Sequence, residues 1–212
     1  MDRTRIGVSV GNGIAGLTNT CTMLEQTKSK GLYRGMSPYY VTQILPNSSA
    51  GHVSIRHQLQ GPNLCNSSAC AAGVQAIGDG YNMIRLGHAD AMVCGATEAT
   101  IHPLAISGFA RMRALSTSFN EQPTLASRPF DRQRDGFVMG EGAAILVLER
   151  LDCAEKRGAP ILGEIRGYGL SADASHITNP SGSGALNCMK NALSNAHLTI
   201  ADIGYVNAHA TS

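Results

Sequence analysis

The sequence predicts an α/β fold built around a sheet of short, buried strands. Apolar runs, glycine-rich turns and stretches with apolar residues at helical spacing alternate along the chain, which is typical of such a sheet. Of the 212 residues, 43% are hydrophobic, only 15% are charged and 24 are glycine. Because disordered chains and coiled coils carry more charge, this composition favours a tightly turned globular protein. Folding a chain of this length buries roughly 70% of its extended surface, which is enough for one core.

The first elements follow the order strand, turn, helix. Residues 5–10 form an apolar run that predicts a buried strand, and the glycines between 11 and 16 predict a tight turn before a helix over 17–30. The next elements predicted are, in order, a helix over 47–56, a strand over 62–67, a helix over 71–86 and a strand over 89–94.

The later part of the chain contains one long irregular stretch. Residues 107–135 are rich in Arg, Ser and Pro and lack periodicity, which predicts an ordered loop or lid. The other predicted elements are a strand over 143–149, a helix over 152–157, a strand over 161–168, a helix over 184–196 and a final strand from 203 that leads into polar residues.

Charge and cysteine content exclude several classes of function. The 17 Lys and Arg residues nearly balance the 15 Asp and Glu residues, so the phosphate-neutralising surface of a nucleic-acid-binding protein is not expected. No apolar run reaches the roughly 18 residues that cross a bilayer, and membrane insertion is not expected either. The six cysteines show no CxxC pair or nearby histidine at metal-ligand spacing, so we predict no metal site and reduced thiols in an intracellular compartment.

A glycine motif, Gly11-x-Gly13-x-x-Gly16, follows the first strand and precedes the first helix. This spacing matches the dinucleotide-binding fingerprint, in which a phosphate lies at the helix N-terminus. The acidic residue expected about 20 positions later is missing. The motif therefore leaves two interpretations, a weak one as a nucleotide site and a favoured one as a structural turn.

Cys70 occupies a position that suits a nucleophile. A strand ends before it, small residues form a turn, and an apolar helix begins at the cysteine. A helix N-terminus favours a thiolate, and its free amides can bind a developing oxyanion. The alternative is a small buried apolar side chain, which is our interpretation of the other five cysteines.

His209 is the best candidate partner among the seven histidines. It lies in Asn207-Ala-His-Ala-Thr-Ser212, at the predicted carboxyl end of the last strand, where α/β folds place functional side chains. From residue type and position we therefore hypothesise that Cys70 and His209 form a catalytic pair.

At these residues the chain resembles the β-ketoacyl-[acyl-carrier-protein] synthases, the condensing enzymes of fatty acid synthesis. The resemblance runs through essentially the whole sequence and rests on many ordered motifs. These include Ser68-Ala-Cys70, Arg113-Ala-Leu-Ser-Thr117, Arg128-Pro-Phe130, Arg134-Asp-Gly-Phe-Val-Met-Gly-Glu-Gly142 and Asn207-Ala-His209-Ala-Thr211. The last two motifs look most like the mitochondrial form of the family. There are two departures: Asn66-Ser-Ser replaces a more usual Ser/Ala-Thr run, and Cys65 lies unusually close to the nucleophile Cys70.

The resemblance implies a thiolase-like α-β-α-β-α layered fold, incomplete in this chain. Residues 1–150 would form the N-terminal half with the nucleophilic cysteine, lacking its first units, and residues 151–212 the beginning of the C-terminal half. The family is usually homodimeric, and residues 62–67 resemble the strand that pairs across the dimer. The implied localisation is mitochondrial, and otherwise cytoplasmic.

The resemblance also implies an acyltransferase that condenses malonyl-acyl carrier protein with an acyl thioester. Cys70 would carry the acyl group, His209 would be one of two histidines that stabilise the enolate, and Thr211 would contact the pantetheine arm. Arg113 would help to bind the acidic acyl carrier protein, with Arg34 and Arg111 as further candidates. No cofactor is implied beyond the phosphopantetheine of the carrier.

The family's chain is about twice as long, and its second histidine, catalytic lysine and gating loop are expected beyond Ser212. We therefore expect these residues alone to be inactive in condensation. The competing interpretation is a noncatalytic truncated product that serves in interaction or dimerisation. A Cys-His hydrolase fits the catalytic pair but not the set of motifs.

Overall fold

The computed structural model describes residues 1–212 and contains a four-stranded sheet in the order β2-β1-β3-β4. Strand β1 (Ile6–Gly11) pairs in parallel with β2 (Asn63–Leu64) on one side and with β3 (Ala91–Glu98) on the other. Strand β4 (Gly142–Glu149) runs antiparallel to β3. The carboxyl ends of the three parallel strands therefore meet at one edge of the sheet, where such folds typically hold their functional loops.

The chain divides into two compact units, residues 1–157 with 210–212, and residues 158–209. The sheet belongs to the first unit. The helices of that unit are α1 (Leu17–Lys30), α2 (Leu32–Gly35), α3 (Tyr40–Ile44), α4 (Ser48–His57), α5 (Ala72–Arg85), α6 (Pro103–Arg111) and α7 (Leu151–Lys156). No helix in either unit combines the length and apolar character needed to cross a membrane.

Two small cores lie on opposite faces of the sheet. Val8 and Val10 of β1 are buried with Ala50 of α4. Met92 and Cys94 of β3 are buried against α5. Met92 is in register with Gly7, the residue before Val8. Because neighbouring side chains on a strand alternate between faces, α4 and α5 cover different faces of the sheet.

Helix α5 approaches β3 closely because its inner face is made of glycine and alanine. Ala72 and Ala76 are almost completely buried. A Cβ on Gly80 would lie only 2.1 Å from Sγ of Cys94, and a Cβ on Gly11 would lie 2.4 Å from the carbonyl oxygen of Ala72. The spacing between α5 and the sheet therefore leaves no room for a methyl group at either glycine.

Asp90, just before β3, links the chain segments at the end of the sheet where the parallel strands begin. Its carboxylate accepts hydrogen bonds from Arg5 at 3.0 Å and from Arg150 at 2.9 Å. The side-chain hydrogen bond from Arg5, together with the two positive charges, holds the pKa of Asp90 below its usual range. This cluster joins the chain before β1, the chain before β3 and the chain after β4.

The second unit is built on one helix, α8 (Ser183–Ala196), followed by a 3-10 helix at Ile200–Asp202. Residues 167–171 pass along α8 so closely that a Cβ on Gly169 would lie 2.3 Å from the carbonyl oxygen of Cys188. Asn191 and Asn195 of α8 bind the backbone of this segment through their side chains. Asp173 accepts hydrogen bonds from Ser181 and from the backbone N–H of Gly184 at the start of the helix.

Most predicted elements are confirmed, with ends shifted by four residues at most. Two predictions are wrong, because residues 161–168 and 203–209 form no strand. The predicted strand over 62–67 is confirmed but is shortened to Asn63–Leu64. A strand requires a hydrogen-bonded neighbour, whereas the end of the 161–168 segment lies against α8, whose own backbone groups are satisfied. The irregular stretch at 107–135 also begins inside α6, which Pro103 opens at its first turn and the ring of His102 caps.

We predict that Gly80→Ala destabilises the protein by about 1–3 kcal/mol, because the new methyl group overlaps Cys94. In a Cys94→Ala background the sulfur is gone, and the same change should cost less than about 1 kcal/mol because alanine favours the helix. Urea unfolding of the two single variants and the double variant measures this coupling. Strictly additive effects would contradict the packing described above.

Candidate active site

Cys70 lies in a turn between the sheet and α5. The chain leaves β2 after Leu64, and a 3-10 helix at Ala69–Ala71 leads directly into α5. Ala69 has a φ of 52°, in the left-handed region that costs about 1–2 kcal/mol for a residue with a side chain. The sharp reversal at Ala69 brings Cys70 to the N-terminal end of the helix.

The environment of Cys70 suits a nucleophile. It is exposed, whereas the other five cysteines are buried or half-buried. The backbone N–H of Cys70 has no partner in the chain, while the next N–H, that of Ala71, donates to the carbonyl of Ser68 at 3.2 Å. A thiol and a free amide on the same residue can attack a carbonyl carbon and bind the resulting oxyanion.

The other cysteines are poor candidates. Burial, aided by the charge of Asp79, raises the pKa of Cys94 to about 12. Burial also raises the pKa of Cys65. Thiols whose pKa is raised in this way are protonated and unreactive at neutral pH, so Cys94 and Cys65 are poor nucleophiles.

The glycine loop after β1 is a structural turn. The backbone N–H groups of Gly13 and Ile14 donate to one oxygen of Glu98, at 2.9 and 3.1 Å. These amides are the kind of donor that a phosphate needs at a dinucleotide site. Because a carboxylate of the same chain occupies them, the structure favours the structural interpretation. Glu98 was not predicted as a site residue, because it ends β3 without any motif around it.

Arg113 and Thr211 line the same open cavity, of about 570 Å³. The other residues around this cavity are Ala114, Arg132, Arg134, Asp135, Gly136, Phe137 and Ser212. The guanidinium groups of Arg113 and Arg132 form no hydrogen bond or ion pair in the chain, and the hydroxyl of Ser212 is buried without a partner. Two unpaired cations and a hydroxyl make this cavity suitable for an anionic group.

Arg113 owes its position to the end of α6. Its φ is 58°, its N–H bonds the carbonyl of Ala110, and the N–H of Ala114 reaches back to Phe109. This pattern is a Schellman motif, whose left-handed residue is usually glycine. Arginine at this position therefore adopts the left-handed conformation at a conformational cost that glycine would not have.

Asp135 fixes the wall of the cavity. Its carboxylate accepts hydrogen bonds from the hydroxyl of Ser116 and from the N–H groups of Thr117 and Ser118. These bonds hold the pKa of Asp135 far below its usual range. The carboxylate therefore stays ionised, and both of its oxygens accept hydrogen bonds from this loop. Arg128 lies over the ring of Phe119, 3.8 Å from its centre, and supports the same loop.

Arg132 and Arg134 were not predicted from the sequence as residues of this cavity. The spacing Arg-Gln-Arg, with both arginines in one loop, was the available signal. Arg34 and Arg111 are exposed and do not line the cavity, and Arg34 belongs to the short helix α2. Their roles in carrier binding stay predictions.

His209 lies in the second unit. It is exposed, and the segment before it is irregular. The prediction that His209 lies at the end of a strand is therefore wrong. The hydrogen bond between Asn207 and Tyr205, at 3.3 Å, is the polar side-chain contact nearest to it along the chain. The pairing of His209 with Cys70 stays a prediction.

Comparison with known families decides what this arrangement represents. The family model of the β-ketoacyl synthase N-terminal domain matches residues 1–154, and that of the C-terminal domain matches residues 162–212. The chain belongs to the β-ketoacyl synthase family. The resemblance stated from the sequence is thereby confirmed.

The curated relatives include bacterial and mitochondrial members of this β-ketoacyl synthase family. The 3-oxoacyl-[acyl-carrier-protein] synthase 2 of Rhizobium meliloti is 51% identical over 100% of this chain and 50% of its own length. The mitochondrial 3-oxoacyl-[acyl-carrier-protein] synthase of Arabidopsis thaliana is 48% identical over 100% of this chain and 46% of its own. The chain thus spans about half the length of the curated relatives it matches.

Solved structures confirm the thiolase-like ketosynthase fold. A β-ketoacyl synthase from Burkholderia phymatum matches with a TM-score of 0.89 and 36% identity, over 98% of this chain and 51% of that one. A ketosynthase in a type II polyketide synthase complex with its acyl carrier protein matches with a TM-score of 0.90 and 32% identity, over 100% of this chain and 53% of that one.

We predict that iodoacetamide at pH 8 alkylates Cys70 at least about 100-fold faster than Cys94, because reaction requires an accessible thiolate. Peptide mapping after limited labelling measures both rates, with the half-buried Cys188 as an internal control. Labelling of Cys94 should rise with pH until about 12, the pKa to which burial raises it. Earlier labelling of Cys94 or Cys188 than of Cys70 would contradict the assignment.

Proposed function

We propose that the protein to which this chain belongs is an acyltransferase that condenses malonyl-acyl carrier protein with an acyl thioester in fatty acid synthesis. The observation that carries this proposal is the exposed Cys70, placed at the turn into α5 in a chain of the β-ketoacyl synthase family. The relatives named 3-oxoacyl-[acyl-carrier-protein] synthase support the reaction type.

The first step loads Cys70. Its thiolate attacks the carbonyl carbon of the acyl thioester on the carrier's phosphopantetheine, and the free N–H of Cys70 donates to the oxyanion. When the intermediate collapses, the carbon–sulfur bond to phosphopantetheine breaks and the acyl group stays on Cys70. The carrier leaves with a free thiol after taking up a proton.

The second step forms the carbon–carbon bond. Malonyl-acyl carrier protein loses CO₂, and the electron pair of the broken bond becomes an enolate. His209 donates a hydrogen bond to the enolate oxygen in this proposal. The enolate carbon then attacks the acyl carbon on Cys70, the bond to Sγ breaks, and Cys70 returns as thiolate while the β-ketoacyl product remains on the carrier.

The cavity at Arg113 and Thr211 would receive the carrier and its arm. The unpaired guanidinium groups of Arg113 and Arg132 suit an acidic protein or a phosphate, and the hydroxyl of Thr211 can bind the polar pantetheine chain. We propose no resident cofactor or metal, because both substrates arrive on phosphopantetheine. The solved ketosynthase in complex with its acyl carrier protein supports a partner of this type.

We further propose a homodimer that acts in mitochondria. Strand β2 lies at the edge of the sheet and pairs on one side only, so it can pair with the same strand of a second copy. The mitochondrial relatives from Arabidopsis thaliana and Schizosaccharomyces pombe, 48% and 46% identical, support the compartment.

The complete protein, incubated with labelled acyl-carrier protein and malonyl-carrier protein, should form a thioester on Cys70, release CO₂ and extend the acyl chain by two carbons. Cys70→Ala should abolish acylation, whereas Cys21→Ala, a change at a half-buried cysteine of α1, should not. His209→Ala should slow condensation by about 10²–10³-fold, the usual effect of losing one preorganised donor, and leave acylation within about threefold. Acyl groups found on another residue would refute the mechanism. A dimer that takes up no acyl group would favour the noncatalytic alternative.

Arg113 gives opposite predictions for stability and for binding. Arg113→Gly should stabilise the fold by up to about 1 kcal/mol, because glycine adopts the left-handed conformation without strain. The same change should raise the Michaelis constant for the carrier protein about threefold to tenfold at low salt, and less at high salt.

The control for the stability effect is Arg111→Gly, which should destabilise α6 by about 0.5–1 kcal/mol because Arg111 is helical. Thermal unfolding and carrier titrations measure the two effects. An unchanged Michaelis constant for Arg113→Gly at low salt would refute the role in carrier binding.

A further inference from the structure

A hydrogen bond between two side chains brackets the turn that presents Cys70. Nδ2 of Asn66 donates to Oδ2 of Asp79 at 2.6 Å. Asn66 precedes Cys70 in the turn, and Asp79 follows it in the second half of α5. We propose that Asn66 and Asp79 are positioning residues for the thiol of Cys70. This inference rests on the proposed function of that cysteine.

The turn has few other connections. Residues 66–68 lie between the end of β2 and the 3-10 helix. The carbonyl of Ser68 accepts the N–H of Ala71 in that 3-10 helix, and the hydrogen bonds that reach β1 and α5 belong to Asn66. Its carbonyl accepts the N–H of Asn12 at 2.9 Å, and its side chain binds Asp79. Asn66 therefore ties this segment to β1 through its backbone and to α5 through its side chain.

The geometry at Ala69 explains why such a tie is needed. Ala69 is in the left-handed region, with a φ of 52°, a conformation that persists only where the surrounding structure imposes it. Ser68, directly before it, has a buried hydroxyl without a partner, and its carbonyl bonds only to Ala71 within the turn. The bonds that tie the start of the turn to the sheet and to α5 therefore come from Asn66.

The chemistry of the pair suits a rigid restraint. A hydrogen bond to a carboxylate is shorter and stronger than one between neutral groups, and both side chains are half-buried, which limits competition from water. Asp79 itself is fixed because α5 packs without gaps on β3 through Gly80. The position of the sheet-bound helix is thus transmitted to the residues before Cys70.

The pair can be tested by exchanging its two partners. Asn66→Ala removes the donor, and Asn66→Asp places two carboxylates face to face. The double variant with Asn66→Asp and Asp79→Asn restores the hydrogen bond with donor and acceptor reversed. The matched control is Asn63→Ala, which removes another asparagine bond of the same strand region, from Nδ2 of Asn63 to the carbonyl of Ala50 in α4 at 3.2 Å.

Two measurements separate positioning from folding. Hydrogen exchange of the amides between residues 67 and 72 reports the order of the turn without any catalytic step. Acyl transfer from acyl-carrier protein to Cys70 reports the thiol's placement, as kcat and Michaelis constant separately. Both are made on the complete protein, with urea unfolding as the measure of global stability.

We expect Asn66→Ala to speed exchange in the turn at least fivefold and to lower kcat for acyl transfer at least tenfold, with the Michaelis constant within twofold. Asn66→Asp should lower kcat further. The exchanged pair should recover kcat to within threefold of the wild type, and Asn63→Ala should keep kcat within twofold of it.

Unchanged exchange in Asn66→Ala overturns the proposal, and so does faster exchange with unchanged kcat. Failure of the exchanged pair to recover also overturns it. A wild-type protein that transfers no acyl group overturns the proposed function instead, while the exchange result still decides whether the pair orders the turn.

Discussion

Helix α5 lies on the sheet at a distance set by glycine and alanine, and the position of Cys70 depends on that distance. Gly80 meets Sγ of Cys94 and Ala72 meets Gly11, with no space for another carbon atom at either contact. A helix held at two points along its length cannot rotate or slide without overlap, since protein interiors are close-packed. Its N-terminus is therefore fixed relative to the strand ends, and the turn that carries Cys70 is built between two rigid elements.

The edge of the sheet around that turn is held mainly by polar groups of the backbone. Glu98 satisfies two amides of the glycine loop, and Asn12 uses its side chain on the carbonyl of Thr97 and its N–H on Asn66. Loops at strand ends carry amides that no ladder satisfies, and side chains from neighbouring strands provide the partners here. Because these bonds involve residues far apart in sequence, each loop at this edge restrains the next.

The sequence predicted the elements whose cause is local and missed those whose cause is a partner. Helices α1 and α5 were predicted because their apolar spacing and flanking residues are visible in the chain itself. The segment over 161–168 is apolar enough for a strand, yet strand formation depends on a neighbour that no local pattern specifies. Cys70 was predicted from its turn and helix, and Arg113 and Thr211 from motifs. Glu98 and Asp79 act through tertiary contacts, and nothing beside them in the sequence indicates those contacts.

Four of the left-handed residues other than glycine fall into two groups, helix caps and the turn before α5, and the difference bears on function. Gln58 and His197 follow α4 and α8 as their C-terminal caps, a place where this conformation satisfies the helix end. Arg113 likewise follows a helix, α6, as part of its C-terminal cap, but it also lines a cavity with its charged side chain. Glycine would adopt the left-handed conformation at a lower free-energy cost but would remove that cation from the cavity. Ala69 caps no C-terminus and instead opens the 3-10 helix at Ala69–Ala71, which contains Cys70 and leads into α5. The strained conformation of Ala69 satisfies no helix end, so a functional constraint at Cys70 accounts for it better than a local structural one.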